Sequence, residues 1–253
     1  MTPPPTGQRI FDGAYLRGTL FTAVNTTNAK SLIVRFEARD KNKTGFKPTD
    51  TIASLAAQGH AVLSLQTAGN DWFINPDTSG LCAVLTALAA KHPNPRLIGF
   101  SMGGYAAFRF ARVLGAAWVV AVSPQYSIAP ATVPWDKRYR AEGANFDPTM
   151  GDIAPHAMPG LRGVIYFDPF KLLDLRHCRM LQAQFPRVMA LRLPGGGHPA
   201  TKLMGVQGRI GPVIKSVAGG RDAAVAVQRL HRKLRHFAPF YRDALAQATR
   251  GRF

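Results

Sequence analysis

From residue 31 onward the chain alternates between two hydrophobic patterns. Short runs that are apolar at nearly every position, SLIVRFEA (31–38), HAVLSLQ (60–66), RLIGFS (96–101), WVVAVSP (118–124), GVIYFD (163–168) and RVMALRLP (187–194), are separated by segments with helical patterns near 49–58, 77–91, 103–114 and 174–185. A strand covered on both faces reads as a continuous apolar run. Strands alternating with helices point to a parallel sheet with helices packed on it. The pattern therefore predicts an α/β fold: a mostly parallel, doubly wound sheet with six parallel strands.

Three stretches stand outside this alternation. AYLRGTLFTAV (14–24) predicts one or two antiparallel edge strands ahead of the parallel set. Residues 125–160 follow the fourth run and are rich in Pro, Gly and aromatics; a connection of that length is expected to be a lid or binding loop inserted in the fold. Within 219–250, Val227, Leu230, Leu234, Phe237, Tyr241 and Leu245 fall at helical spacing, with Arg229, Arg232, Lys233, Arg235 and Arg242 turned mostly away. This predicts a basic amphipathic helix packed on the core and kinked at Pro239. We expect one domain over 1–253, with its core at about 30–215.

Composition narrows the picture. With 46% apolar residues in a chain of 253, a sizeable core can be buried. No run of about 18 apolar residues is present, and the N-terminus has no signal-type apolar stretch, so a soluble, cytoplasmic protein is expected. Cys82 and Cys178 lie in helical patterns at no metal-type spacing, which gives no support to a disulfide framework or a zinc site. The net charge of +18, from 32 Lys and Arg against 14 Asp and Glu, favours an anionic substrate or surface. Because the basic residues are dispersed, a solvated basic face is expected and nucleic acid is not.

The chemistry starts at Gly99-Phe100-Ser101-Met102-Gly103, where a buried strand gives way to a small-residue helix. A serine there projects from the carboxyl edge of the sheet, the ligand-binding edge of open α/β folds. Glycines on either side let the backbone turn sharply against its neighbours. The following helix aims its first N–H groups, that of Met102 among them, at an oxyanion developing beside the serine.

A serine hydroxyl needs a base, and the base needs an orienting acid. Of seven histidines, only His198, in the glycine-rich loop LPGGGHPATK after the last predicted strand, lies at the same sheet edge. The acid should leave the preceding strand: Asp168 stands directly at its end and is preferred, and Asp174, six residues on, is the alternative. In the loop 67–77, Trp72 and Phe73 are candidates to line a substrate pocket, with Asn70 and Asp71 giving polar contacts. Trp135 and Tyr139, beside Lys137, Arg138 and Arg140, are candidates for an aromatic and basic rim suited to an anionic or carbohydrate substrate.

With GFSMGG, FDPFKLLD and PGGGH in the order serine, acid, histidine, the chain resembles the α/β-hydrolase fold superfamily over roughly residues 30–215. The resemblance implies an acyl-enzyme on Ser101, proton transfer by His198 and orientation by the acid. It also implies a second oxyanion N–H from the loop after the first parallel strand, at Glu37 or Ala38. No His-Gly motif follows that strand, and FDP replaces the usual Gly-x-x-Asp turn. The expected activity is hydrolysis of a carboxylic ester, of the small-acyl or glycan O-acetyl type, with no cofactor and no metal. The alternatives are acyl transfer by the same residues, and a noncatalytic protein of this fold that binds an acidic partner.

Overall fold

A computed structural model describes residues 7–22, 29–49, 51–238, 241, 243, 246 and 247. In chain order the strands are β1 (Gly7–Asp12), β2 (Leu16–Phe21), β3 (Leu32–Phe36), β4 (Ala61–Thr67), β5 (Arg96–Phe100), β6 (Trp118–Val122), β7 (Arg162–Phe167) and β8 (Val188–Arg192). The helices are α1 (Ala53–Ala56), α2 (Thr78–Lys91), α3 (Met102–Arg109), α4 (Ala111–Leu114), α5 (Arg140–Ala144), α6 (Leu172–Gln184), α7 (Lys202–Val206) and α8 (Gly211–Leu234).

The strands form one eight-stranded sheet in the order β1-β2-β4-β3-β5-β6-β7-β8. β2 pairs antiparallel with β1 and β4, and every pairing from β4 through β8 is parallel. The six apolar runs are thus the six parallel strands. The antiparallel pair precedes them, with β1 lying upstream of the stretch that predicted it.

Period-two alternation divides these strands between two cores. Leu32, Val34 and Phe36 of β3, Val119 and Ala121 of β6, and Ile165 and Phe167 of β7 face a core completed by α2, α3, α4 and α6. Ile33, Val120, Val122, Val164 and Tyr166 face a second core completed by α1, α7 and α8. Helices on both faces leave the sheet's carboxyl edge as the place where loops from different strands converge. The strand order reverses between β3 and β5, which opens a crevice at that edge.

The helices differ from expectation at several points. Only 53–56 of the segment 49–58 is helical, and 103–114 is split at Phe110 into α3 and α4. The C-terminal helix begins at Gly211, before the expected 219, with Pro212 in its first turn, and passes through a non-helical Gly220 (φ 65°). It ends at Leu234 in a 3-10 turn over Arg235–Phe237 that takes Phe237 off the buried face, leaving it 52% exposed. Pro239, Arg242 and Leu245 lie outside the described residues. Among the described residues no helix is long and apolar enough to cross a membrane.

Phe36 closes the end of β3, its ring edge-on to Phe73 at 5.7 Å and stacked on Phe110 at 5.8 Å. Replacing Phe36 by Ala should lower unfolding stability by about 3–5 kcal/mol, read as a drop in the urea midpoint.

Candidate active site

β5 and α3 are joined through a single residue, Ser101, at φ 49° and ψ −114°. The turn is enforced by backbone contact. A Cβ on Gly99 would lie 2.0 Å from the Gly103 carbonyl oxygen, and one on Gly103 would lie 2.5 Å from that of Phe36. Side chains are therefore excluded at both positions, and a non-glycine residue is held at positive φ between them. The Ser101 N–H donates to the Val122 carbonyl at 2.8 Å, which ties the turn to the end of β6.

His198 reaches this serine from the loop after β8. Its Nε2 lies 3.1 Å from Ser101 Oγ, and its Nδ1 lies 2.7 Å from Asp174 Oδ2. Asp174 sits in the first turn of α6, where the helix dipole favours a carboxylate. Burial would raise its carboxyl, but the hydrogen bond from His198 and the charge of Arg138 outweigh burial and hold it below the usual carboxylate range.

The partner of His198 is Asp174, where the sequence favours Asp168. Asp168 is buried at the end of β7, and its two carboxylate oxygens accept the N–H groups of Gly195 (3.1 Å), Gly197 (2.8 Å) and Phe170 (3.0 Å). The closest acid to the strand is thus consumed in shaping the turn that leads to His198. An acid one helical turn into α6 instead meets the imidazole.

The oxyanion candidates are separated in the same way. The Met102 and Ala38 N–H groups have no partner among the described residues, and the backbone at Phe36 and Glu37 lies directly against Gly103. Glu37 is not a free donor: its N–H bonds the Leu65 carbonyl at 3.0 Å, and its carboxylate accepts from Thr67 N–H and Lys43 Nζ.

Of the pocket candidates, Trp72 and Tyr139 reach the site. The Trp72 indole N–H donates to Gln125 Oε1 at 3.1 Å, and its ring packs on Tyr139 with centroids 4.8 Å apart. The Tyr139 hydroxyl lies 3.3 Å from His198 Nε2. Phe73, buried like Trp72, packs edge-on against Phe36 and makes no contact with Gln125 or Tyr139 among those described. Trp135 packs on His177, the rings tilted with centroids 4.7 Å apart, under the Arg176 guanidinium. Asn70 and Asp71 are engaged within the protein: Asn70 brackets the backbone of Asp40, and Asp71 accepts from Thr67, Phe73 and Asn75. Both nonetheless line a cavity of about 420 Å³, with Ile74, Glu142, Asn145 and Phe146, which includes none of Ser101, His198 and Asp174.

Sequence reasoning missed Gln125. It follows β6 by three residues, a placement at the carboxyl edge that marks a candidate. Because an indole can only donate, Trp72 fixes the Gln125 oxygen as its acceptor, and the Gln125 Nε2 is then turned toward Ser101 Oγ at 3.3 Å. Among the described residues no group of His, Cys, Asp or Glu is arranged to hold a metal ion.

No family model matches this sequence, and no curated protein matches it. Its structure is similar to that of the capsule O-acetyltransferase of Neisseria meningitidis serogroup A, at 14% identity and a TM-score of 0.53, over 72% of this chain and 85% of that one. It is also similar to the apo form of esterase 2 of Thermogutta terrifontis, at 14% identity and a TM-score of 0.53, over 78% and 86% of the two chains. The fold is that of the α/β-hydrolases.

The two acids should separate by experiment. Asp174→Asn should lower the rate of reaction of Ser101 with a fluorophosphonate, per folded molecule, by about 10²–10⁴-fold. Asp168→Asn should instead act mainly on stability, costing about 1–3 kcal/mol in urea unfolding as the turn at Gly195–Gly197 loses its charged acceptor.

Proposed function

We propose that the protein is a serine hydrolase that cleaves a carboxylic ester of small acyl size through an acyl-enzyme on Ser101. The observation that carries this reading is the unbroken line from Ser101 Oγ to His198 Nε2 (3.1 Å) and from His198 Nδ1 to Asp174 Oδ2 (2.7 Å). In this reading Nε2 takes the hydroxyl proton as Oγ attacks the carbonyl carbon. Asp174 keeps the second imidazole proton on Nδ1 and stabilises the imidazolium. The carbonyl oxygen becomes an oxyanion held by the N–H groups of Met102 and Ala38. The imidazolium then protonates the leaving alcohol, and water activated by the same Nε2 releases the acid.

The size preference follows from the walls. Ser101 is 7% exposed, with Trp72, Gln125 and Tyr139 gathered around it, and the cavity beside them is not lined by the reacting groups. Such enclosure suits an acetyl or similarly short acyl group. A second reading is transfer of the acyl group by the same residues to a hydroxyl acceptor such as that of a glycan. The basic residues Lys137 and Arg140 of the insertion support an anionic or carbohydrate partner in either case, Arg138 being engaged by Asp136 and Asp174.

A fluorophosphonate should form one adduct, mapped to Ser101 by mass spectrometry, that is absent in Ser101→Ala and slowed by at least about 10³-fold in His198→Ala. A folded wild-type protein that forms no adduct would overturn the reading. In an ester panel, p-nitrophenyl acetate should exceed the octanoate in kcat/KM by about tenfold or more. Added acceptor alcohols would divert acetate into ester if transfer competes with hydrolysis.

A further inference from the structure

Residues 136–142, in the long connection between β6 and β7, touch the acid, the base and the oxyanion loop together. Arg138 lies between two buried carboxylates. Its guanidinium grips Asp136 through Nε at 3.0 and 3.1 Å and through a terminal nitrogen at 2.7 Å, while the other terminal nitrogen donates to Asp174 Oδ1 at 2.7 Å. Tyr139 reaches His198, and Glu142 pairs with Arg39, next in the chain to Ala38. The side chains of Asp136 and Asp174 are only 3% and 1% exposed.

The protonation pattern of this cluster can be worked out from its partners. The Tyr126 N–H donates to His177 Nδ1 at 3.0 Å, so that nitrogen carries no proton. His177 is therefore the neutral Nε2–H tautomer, which donates to Asp136 Oδ2 at 2.9 Å. Burial lowers the pKa of His177 against the pull of Asp136, in agreement with a neutral ring. The charge balance is then two carboxylates against one guanidinium, one negative charge in excess. His198 bonds the oxygen of Asp174 that Arg138 leaves free.

We propose that Arg138, itself held by Asp136 and His177, is a positioning residue of the reaction: it fixes Asp174 with one oxygen on the guanidinium and the other on His198, and it sets the net charge against which His198 gains its proton. The proposal rests on reading Ser101, His198 and Asp174 as the catalytic triad. Arg138 touches no reacting atom and acts through Asp174. The groups facing Asp174 are His198 from the loop after β8, Arg138, Tyr139 and Asp136 from the insertion, and His177 and Cys178 from α6. The Cys178 thiol is pushed up to about 12 by burial and stays uncharged. Asp168 lies against the His198 loop through its bond from the Gly197 N–H.

The test is the second-order rate of fluorophosphonate labelling of Ser101 between pH 5 and 9, corrected for folded fraction by near-ultraviolet circular dichroism, in wild type, Arg138→Gln, Arg138→Lys and Asp136→Asn. Labelling needs His198 unprotonated. Removing the Arg138 cation favours the protonated ring, so the acid limb in Arg138→Gln should move to higher pH by at least about half a unit. Removing the Asp136 anion should move the limb in Asp136→Asn in the opposite direction. Arg138→Lys should keep the wild-type limb but lose about three- to tenfold in plateau rate, since an ammonium cannot hold both carboxylates with a planar fork. A merely structural role would change stability and plateau without moving the limb. Wild-type limbs in both Arg138→Gln and Asp136→Asn, or shifts of the same sign, would overturn the proposal. Absence of labelling in wild type would overturn the hydrolase reading and this proposal with it, a failure distinct from unshifted limbs in proteins that do react.

Discussion

Backbone packed on backbone at Gly99 and Gly103 is the contact from which the rest of the site is built. With no Cβ at either position, the chain turns from β5 into α3 in one residue and Ser101 is held at φ 49°. A non-glycine residue in such a conformation costs on the order of 1–3 kcal/mol, so it persists only where its surroundings over-determine it. They do so through a row of strand ends. The Ser101 N–H bonds the Val122 carbonyl, the Ser123 N–H bonds the Tyr166 carbonyl, and the Leu193 N–H bonds the Phe167 carbonyl. Each strand thereby fixes the exit of its neighbour. The Ser123 hydroxyl then accepts the Ala200 N–H at 3.0 Å, which brings the loop carrying His198 into the same frame. Ser101 and His198 are thus positioned by the carboxyl edge of the sheet.

What the sequence discloses follows from how local each signal is. The parallel strands are apolar on both faces because they serve two cores, and that pattern survives in one dimension. Ser101 is legible because its turn demands glycines at fixed offsets, and His198 because it shares the carboxyl edge with Ser101. The choice between Asp168 and Asp174 was not local. It depends on Gly195 and Gly197, which approach the end of β7 from the next loop and saturate Asp168 with N–H donors. Proximity to the strand end is what disqualifies the nearer acid. Phe73 and Trp72 are adjacent in sequence, both buried and both at positive φ, yet one packs on Phe36 and the other reaches Gln125. Composition marks both as aromatic and cannot separate them. Glu37 is similar: its N–H is spent on β4, and only pairing across the sheet reveals this.

The buried charges around Arg138 are poorly explained by stability. Placing two carboxylates away from water costs several kcal/mol per ion, and well-packed apolar residues of similar volume often serve a core as well or better. Asp136, Arg138 and His177 are understandable instead as the means of keeping Asp174 ionised and oriented. The same contacts bear on the insertion as a whole. Its far end is held by α3, where the Tyr105 hydroxyl donates to the Gly151 carbonyl at 2.6 Å and Arg109 Nε donates to the Met150 carbonyl at 2.8 Å. α3 therefore starts beside Ser101 and ends by anchoring the segment that supplies Arg138. Lifting that segment would leave Asp174 without its cation and Trp72 without the Tyr139 ring. The segment is held by apolar side chains as well, Ile128, Val133, Phe146 and Ile153 being buried, so lifting it would expose apolar area and at the same time break the contacts of Arg138 with Asp174.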